Sequence, residues 1–257
     1  MSIVRIDPHA HLYDCYSLID WVSSAMRNLS GDIDTYRMVV IVDRNGQDSF
    51  ARFRREAAML DSWMEFPGVQ GLSSDSLYGN ATLGDRSLTV IRGVQYVTQE
   101  RLEVLGLGVA RTIDDGAPCK AVIESIRAAQ GIPCIPWSPG KWLGQRGATV
   151  RQLFESYPAG ELVFGDIALR SRIGPPSSLL SRAARAGYLV APGTDPLPRP
   201  QDSTLVGSYG VQSEIPDEQA KNASPVDILR GIFCNRDQLT VWGRPNAALT
   251  AIRRFIS

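Results

Sequence analysis

Short apolar runs alternate with amphipathic segments along most of the 257 residues of this chain. Residues 38–42, Met-Val-Val-Ile-Val, form an unbroken apolar run, which is typical of a parallel strand covered on both faces. Residues 17–28 instead place Leu18, Trp21 and Val22 at the spacing of an amphipathic helix. Strands that alternate with helices predict parallel βαβ units. We therefore predict a TIM-like α/β barrel of about seven to eight mostly parallel strands with surrounding helices.

The predicted elements form a single domain over residues 1–257, with a helical segment of about 225–257 at its end. Residues 65–85 are rich in Gly, Ser and Asp, show no clear period and are predicted to be a loop. Strands are predicted at 3–7, 38–42, 88–97, 102–109, 132–135, 162–164 and 188–191. Helices are predicted at 17–28, 48–63, 120–130, 150–157, 177–186, 225–233 and 245–255. A glycine-rich loop is predicted at 138–147.

Charge and cysteine content exclude several classes of protein. Lys and Arg together number 27, as do Asp and Glu, so the formal net charge is zero. General binding to nucleic acid or to anionic membranes depends on excess positive charge, so we do not expect it here. No apolar window reaches the roughly 18 residues of a membrane span, and the N-terminal segment is too short and charged for a signal peptide. The four cysteines form no CxxC pair, which indicates free thiols in a reducing compartment. We expect a cytoplasmic protein, and its oligomeric state stays open.

The sharpest feature is the segment Asp7-Pro8-His9-Ala10-His11, which ends the first predicted strand and contains both histidines of the chain. Residues i and i+2 of a strand point to the same side, so the imidazoles of His9 and His11 can reach one metal ion. Asp7 shares that alternation. Barrels of this class build their active sites at the carboxyl ends of the strands. We predict a metal site here, and the alternative is two structural histidines that are neighbours by chance.

This segment resembles the opening of the polymerase and histidinol phosphatase (PHP) family of metal-dependent phosphoesterases and, less closely, that of the amidohydrolases. Later segments are similar to further PHP motifs in the same order, over about residues 3–200. These segments are Ile41-Val42-Asp43-Arg44, Ile91-Arg92-Gly93-Val94-Gln95 and residues 102–108, 131–137 and 190–195. The resemblance implies a PHP-like barrel and a metal-dependent hydrolase.

The chain also departs from the PHP pattern at positions that the family uses for metal ligands. Arg44, Gln95, Glu103, Trp137 and Leu197 stand at these positions. The resemblance therefore implies one or two divalent ions instead of a three-metal site, and it leaves open that the metal has been lost. Imidazole and carboxylate ligands suit zinc, manganese or iron.

Several carboxylates are candidates to complete such a site. The resemblance implies as ligands His9, His11 and Asp195, with some of Asp43, Glu103 and Asp166. Asp195 follows an apolar strand in a Gly-Thr-Asp-Pro turn, where it is either a ligand or general base, or a turn cap. Asp166 also follows a predicted strand, where it is either a catalytic group or the partner of Arg170 in a structural salt bridge.

Basic side chains in the loops predict an anionic ligand. Lys141 and Arg146 lie in the glycine-rich loop, and Arg44 and Arg170 follow predicted strands. A guanidinium group binds phosphate or carboxylate through two parallel hydrogen bonds, so we predict that these four side chains bind a small anionic substrate. Lys141 has two alternatives: a carbamate that bridges two metal ions, as in some amidohydrolase-like barrels, or a solvated surface side chain.

Three functions follow from these patterns. The first is a metal-dependent hydrolase of a phosphoester, with Asp195 and Asp166 as the catalytic carboxylates. The second is a barrel that has lost its metal chemistry and acts as a binding or accessory protein. The third is an amidohydrolase-like enzyme that cleaves a C–N or C–O bond and uses Lys141 as a carbamate.

Overall fold

The computed structural model of the protein describes residues 1–31, 35–64, 76–83, 86–138, 140–169, 178–235 and 238–245, with residues 59–64 described by their backbone alone. Its described residues form one sheet of ten strands. The strands are β1 (Ser2–Ala10), β2 (Thr35–Asp43), β3 (Tyr78–Leu83), β4 (Arg86–Val97), β5 (Glu103–Leu107), β6 (Ile132–Pro136), β7 (Val163–Ile167), β8 (Leu189–Gly193), β9 (Tyr209–Ile215) and β10 (Thr240–Gly243).

The strand order is β10-β9-β1-β2-β4-β5-β6-β7-β8, and β3 pairs with β4 beside this path. The pairs β1–β2, β2–β4, β6–β7 and β7–β8 are parallel. The pairs β1–β9, β9–β10, β3–β4, β4–β5 and β5–β6 are antiparallel. The α/β class and the barrel-like sheet are thus confirmed, whereas the predicted strand number and the mostly parallel arrangement are wrong.

The connection between β4 and β5 explains part of this error. β4 ends at Val97 and β5 begins at Glu103, and the Thr98 N–H donates to the Leu102 carbonyl at 2.9 Å to close the turn. So short a connection permits only an antiparallel pair, because a parallel pair needs a crossover of a dozen or more residues. The reversed direction of β5 brings its first residue to the edge where the parallel strands end.

The sheet is nearly closed where the end of β8 meets the end of β1. A Cβ atom on Gly193 would lie 2.5 Å from the Cβ atom of His9, so only glycine permits this approach. Just beyond β8, the Asp195 N–H donates to the His9 carbonyl at 2.8 Å. The first and last parallel strands therefore meet at the site that the sequence predicts.

The helices of the described residues largely follow the predictions. They are α1 (Leu18–Asn28), α2 (Ser49–Met64), α3 (Cys119–Ala128), α4 (Gly144–Ser156), α5 (Ser178–Arg185), α6 (Asp217–Asn222) and α7 (Pro225–Cys234), with a 3-10 helix at Pro200–Leu205. None of these helices is long and apolar enough to cross a membrane. The predicted helix at 245–255 lies almost wholly outside the described residues.

Three local predictions need correction. The predicted loop at residues 65–85 contains the strand β3, which pairs with β4. Helix α4 begins at Gly144, inside the predicted glycine-rich loop, because Gly147 lets the helix pack on the Trp142 carbonyl; a Cβ atom there would lie 2.4 Å from that oxygen. The segment predicted as helical at the C-terminus contains the strand β10. Its pairing with β9 extends the sheet, and a strand of four residues carries too weak a pattern to be recognised.

Apolar side chains pack on both faces of the sheet. Val4, Ile6 and Val40 belong to one buried cluster, together with Leu229 and Ile232 of α7. The opposite side of β1 and β2 packs with α1 and α2, and a third cluster joins β5–β7 to α3, α4 and α5. This two-sided burial explains the continuous apolar runs of the sequence and gives the ends of the strands a rigid base.

Candidate metal centre and its cavity

His9, His11 and Asp195 converge at the junction of β1 and β8. Their candidate ligand atoms all lie within 4.8 Å of one another. The Nε2 atoms of His9 and His11 lie 3.5 and 3.4 Å from Asp195 Oδ1, and both histidines are buried. The predicted convergence of Asp195 with the two histidines is confirmed, because the near-closure of the sheet joins positions far apart in sequence.

The ring of His11 is held by its neighbours. Its Nδ1 atom lies 3.0 Å from the carbonyl oxygen of Val42, so the Nδ1–H group donates to this oxygen and the Nε2 atom faces Asp195. Tyr13 packs against the same ring, with 5.2 Å between the ring centres. In metal-binding histidines, the ring nitrogen that does not bind the metal usually donates a hydrogen bond, which fixes the orientation of the ring.

His9 has no hydrogen-bond partner among the described residues. Both ring nitrogens are buried, and neither meets a donor or an acceptor of suitable geometry there. Burial lowers the pKa of His9 to about 4, so the ring is neutral at pH 7. A neutral imidazole is the form that binds a metal, and a buried polar group without a partner indicates a ligand.

Asp195 adopts a backbone conformation that few residues share. Its φ angle is +42°, in the left-handed region, and a proline follows it. Such strain clusters at functional sites, where the surrounding structure maintains it. Burial raises the pKa of the Asp195 carboxyl, but His9 and His11 outweigh this effect and lower it below its usual range. Asp195 is therefore a carboxylate at neutral pH.

Asp7 holds the two ends of the junction together. One carboxylate oxygen accepts hydrogen bonds from the N–H groups of Thr194, at 3.0 Å, and His9, at 3.2 Å. The other accepts from the Thr194 hydroxyl and from the Gly207 N–H, at 2.9 Å. Burial raises the pKa of Asp7 to about 6. Its oxygens are occupied by these donors, so Asp7 positions the motif, while His9 and His11 face Asp195.

The residues at this junction fit a divalent metal ion. Two imidazoles and a carboxylate are a usual donor set for zinc, manganese or iron, and the His9 ring has no hydrogen-bond partner among the described residues. Three protein ligands leave a position open, which distinguishes a catalytic zinc site from a structural one. His9, His11 and Asp195 are therefore the residues that would hold the ion.

The other predicted carboxylates are not part of this group of ligand atoms. Asp43 accepts hydrogen bonds from the N–H groups of Ser49, at 2.7 Å, and Phe50, at 3.4 Å, and so caps α2. The Asp166 carboxylate accepts from the Tyr209 hydroxyl at 2.8 Å. Glu103 forms an ion pair with Lys141. The sequence places all three at strand ends, but their partners could not be predicted from it.

Replacing Asp43 with alanine separates its capping contacts from metal binding. We expect a loss of about 1–2 kcal/mol in the free energy of unfolding, because two N–H groups of α2 lose their acceptor. Urea denaturation measures this loss, and elemental analysis is expected to show unchanged metal content. Asp43→Asn is the matched variant, since asparagine also caps helices. A loss of metal in either variant would make Asp43 a ligand.

A cavity of about 460 Å³ opens beside the candidate centre. Its lining includes His11, Tyr13, Arg44, Gln95, Glu103, Ser138, Lys141, Leu169, Asp195, Leu197, Pro198 and Arg199. Two of the predicted substrate-binding cations, Lys141 and Arg44, thus reach it. Arg146 does not line it and instead donates to the Gly140 carbonyl at 3.1 Å. Arg170 lies outside the described residues.

Two further side chains of the cavity wall, Tyr13 and Gln95, were not predicted as site residues, although Gln95 stands at a position that the PHP family uses for a ligand. The Tyr13 ring packs against His11 at an angle of 33°, and the guanidinium of Arg44 lies 5.1 Å from the centre of the Tyr13 ring. Burial raises the pKa of the Tyr13 hydroxyl, so it stays protonated and can donate a hydrogen bond. Gln95 lines the cavity at the end of β4. The signal for Tyr13 was its spacing of two residues from His11, which continues the alternation of the motif.

Comparison with known proteins identifies the fold. No protein-family profile matches the chain, and no curated protein is similar to it in sequence. The crystal structure of PsfC from Pseudomonas syringae PB-5123 is similar with a TM-score of 0.57 at 11% identity, over 100% of this chain and 98% of PsfC. The lesion-specific endonuclease PfuEndoQ from Pyrococcus furiosus is similar with a TM-score of 0.51 at 10% identity, over 93% of this chain and 57% of its own.

The third structure is a two-domain protein from Bacteroides vulgatus ATCC 8482 that contains a predicted PHP-like metal-dependent phosphoesterase. It aligns with a TM-score of 0.49 at 10% identity, over 95% of this chain and 65% of its own. At the level of the fold alone, the likeness to PfuEndoQ agrees with the PHP resemblance of the sequence motifs.

Proposed function

We propose that the protein is a metal-dependent hydrolase that acts on a phosphoester of a small anionic molecule. The observation that carries the proposal is the convergence of His9, His11 and Asp195, with both ring nitrogens of the buried His9 lacking a hydrogen-bond partner among the described residues. This group adjoins a cavity whose lining includes Arg44 and Lys141. The candidate metal ligands and the side chains that could bind an anionic substrate thus adjoin the same cavity.

A divalent ion bound at such a site acts as a Lewis acid and lowers the pKa of a bound water towards 7. The chain itself supplies the remaining interactions. Lys141 and Arg44 bind the anionic group of the substrate, since charged donors form the strongest hydrogen bonds to phosphate. The protonated hydroxyl of Tyr13 donates a hydrogen bond to the substrate, and Asp195 stays ionised beside the histidines.

The size of the cavity supports a small substrate. A volume of about 460 Å³ lies within the range of small-molecule sites. The chain has no net charge, in contrast to proteins that bind nucleic acid through excess positive charge. A shared fold does not decide the chemistry, so the proposal rests on the site.

The alternative function is that of a binding or accessory protein. The observation in its favour is that Asp43 caps a helix and Glu103 pairs with Lys141, so neither is disposed to hold a second ion. The amidohydrolase-like alternative is weaker. A carbamate would have to form on the Lys141 nitrogen, which instead contacts Oε1 of Glu103 directly.

Metal content and hydrolysis together separate these functions. Protein purified without chelator is analysed for zinc, manganese and iron, and is then assayed with para-nitrophenyl phosphate and bis-para-nitrophenyl phosphate in the presence of each metal. Bound metal with hydrolysis of either ester supports the proposal, and Asp14→Ala, at a fully exposed side chain, is the matched control. Protein that binds neither metal nor ester would be an accessory protein, and bound metal without ester hydrolysis would point to another reaction.

Replacing Lys141 with methionine tests the anion site. We expect phosphate affinity to fall about ten- to a hundredfold, because a charged hydrogen-bond donor contributes about 1.5–3 kcal/mol. Isothermal titration with inorganic phosphate measures this change, and metal content is expected to stay constant. Unchanged phosphate affinity would assign Lys141 to the solvated surface, and loss of metal would revive the carbamate.

A further inference from the structure

Lys141 and Glu103 form an ion pair within the cavity. The ammonium group of Lys141 contacts Oε1 of Glu103 directly, and both residues line the cavity beside the candidate metal centre. The side chain of Glu103 is 19% exposed and that of Lys141 is 39% exposed, so the pair is partly withdrawn from solvent. A cation predicted to bind a substrate anion is thus already occupied by a carboxylate of the chain.

The fold brings the two residues together from separate segments. β5 and β6 pair antiparallel, with Leu105 opposite Cys134, so the start of β5 lies beside the end of β6. Glu103 is the first residue of β5, and Lys141 stands in the turn that follows β6, where its N–H donates to the Ser138 carbonyl at 3.1 Å. The pair therefore results from the reversed direction of β5, which the sequence analysis did not predict.

The pair also acts electrostatically on the candidate ligands. Burial is the largest cause of the lowered pKa of His9, and Glu103 and Lys141 then act on it in opposite directions. Lys141 also helps to lower the pKa of Asp195. Glu103 and Lys141 are thus close enough to the centre for a group bound there to interact with both.

We propose that Glu103 is a positioning residue that holds the Lys141 ammonium in the anion site and competes with the substrate for it. The inference rests on the proposed function in one respect, namely that the anion is a group of the substrate. An incoming anion must replace the Glu103 carboxylate on Lys141 and overcome its negative charge. The repulsion by Glu103 grows with the charge of the anion, so Glu103 weakens the binding of a phosphate dianion more than that of a carboxylate monoanion.

The experiment measures the binding of inorganic phosphate and of acetate to the full chain by isothermal titration, with and without zinc. For Glu103→Gln, which keeps the shape and removes the charge, we expect phosphate affinity to rise about three- to tenfold. We expect affinity for acetate to rise by a smaller factor, because the repulsion that the variant removes is weaker for a monoanion. Glu124→Gln, on α3 and paired with Arg127 at 3.2 Å, is the matched control and is expected to change neither affinity.

A double variant shows whether Glu103 acts through Lys141. If the pair breaks when phosphate binds, the gain from Glu103→Gln is expected to be larger with Lys141 than in the Lys141→Met background. An equal gain in both backgrounds would mean that Glu103 acts only as a nearby charge, and the proposal would be wrong. Unchanged affinity in Glu103→Gln, or a loss of bound zinc that makes Glu103 a ligand, would overturn it as well.

Glu103→Asp provides a second variant that keeps the charge on a shorter side chain, and we expect its affinities to stay closer to wild type than those of Glu103→Gln. Because phosphate binding is also measured without metal, the two proposals fail separately. If the variants show the expected coupling between Glu103 and Lys141 but the protein hydrolyses no ester, only the proposed function would be wrong. If the protein hydrolyses an ester but the variants show no such coupling, only the proposed role of Glu103 would be wrong.

Discussion

Replacing both His9 and His11 with alanine is expected to abolish metal binding. These are the only two histidines of the chain, so no other imidazole can replace them. The loss of two of three ligands is expected to weaken metal affinity by more than about a thousandfold, since removal of a mere supporting partner already costs ten- to a hundredfold. Elemental analysis after dialysis against metal-free buffer measures the change.

The same variant should keep its fold. The two side chains lie at the end of β1, and the apolar clusters that support the strands do not include them. Chelator-treated wild type is the proper reference, because bound metal itself stabilises the native state. Tyr13→Phe is the matched control, since it keeps the ring against His11 and is expected to retain the metal. Equal metal content in wild type and the double variant would refute the site.

The centre could be predicted from the sequence because its two histidines are neighbours in one strand. The alternation of side chains puts His9 and His11 on one side without any knowledge of tertiary structure. Asp195 could be linked to them only through the resemblance to the PHP family, which implies that the last parallel strand returns to the first. The structure bears out this placement.

The surroundings of the centre could not be predicted in the same way. A carboxylate at a strand end is equally suited to bind a metal, to cap a helix or to pair with a lysine, and only the neighbouring backbone decides. Asp43 meets the N–H groups at the start of α2, and Glu103 meets Lys141 across a strand pair whose direction was predicted wrongly. The contact of Asp43 is local, six residues along the chain, whereas Glu103 and Lys141 come together from segments 38 residues apart.

The wrong strand directions have a common physical origin. Periodicity reports which faces of a strand are buried, but it carries no information on the direction of the neighbouring strand. The length of the connection does, and the five residues between Val97 and Glu103 in the structure were too few for a crossover. Strand β9, which was not predicted, pairs antiparallel with β1 on the side opposite β2. Its partner β1 is about 200 residues away in the chain, so the local pattern of β9 does not reveal this pairing.

Replacing Asp7 with alanine is expected to cause the largest loss of stability among these variants. The Asp7 carboxylate is fully buried and accepts hydrogen bonds from the N–H groups of His9, Thr194 and Gly207. Each buried donor left without an acceptor costs about 1–3 kcal/mol, so we expect a loss of about 4 kcal/mol in the free energy of unfolding. For a domain of this size the melting temperature should fall by roughly 10 °C.

The contacts of Asp7 also predict how this loss affects the metal centre. Thr194 and Gly207 follow β8 and precede β9, so Asp7 fastens both segments to β1 beside His9 and Asp195. Asp7→Asn keeps one oxygen acceptor and should lose about half as much stability, whereas Asp14→Ala, at a fully exposed carboxylate, should change it by less than about 1 kcal/mol. Calorimetry and metal titration of the three variants test the role of Asp7. Wild-type stability in Asp7→Ala would show that the junction holds without this carboxylate, and a loss of metal with unchanged stability would make Asp7 a ligand.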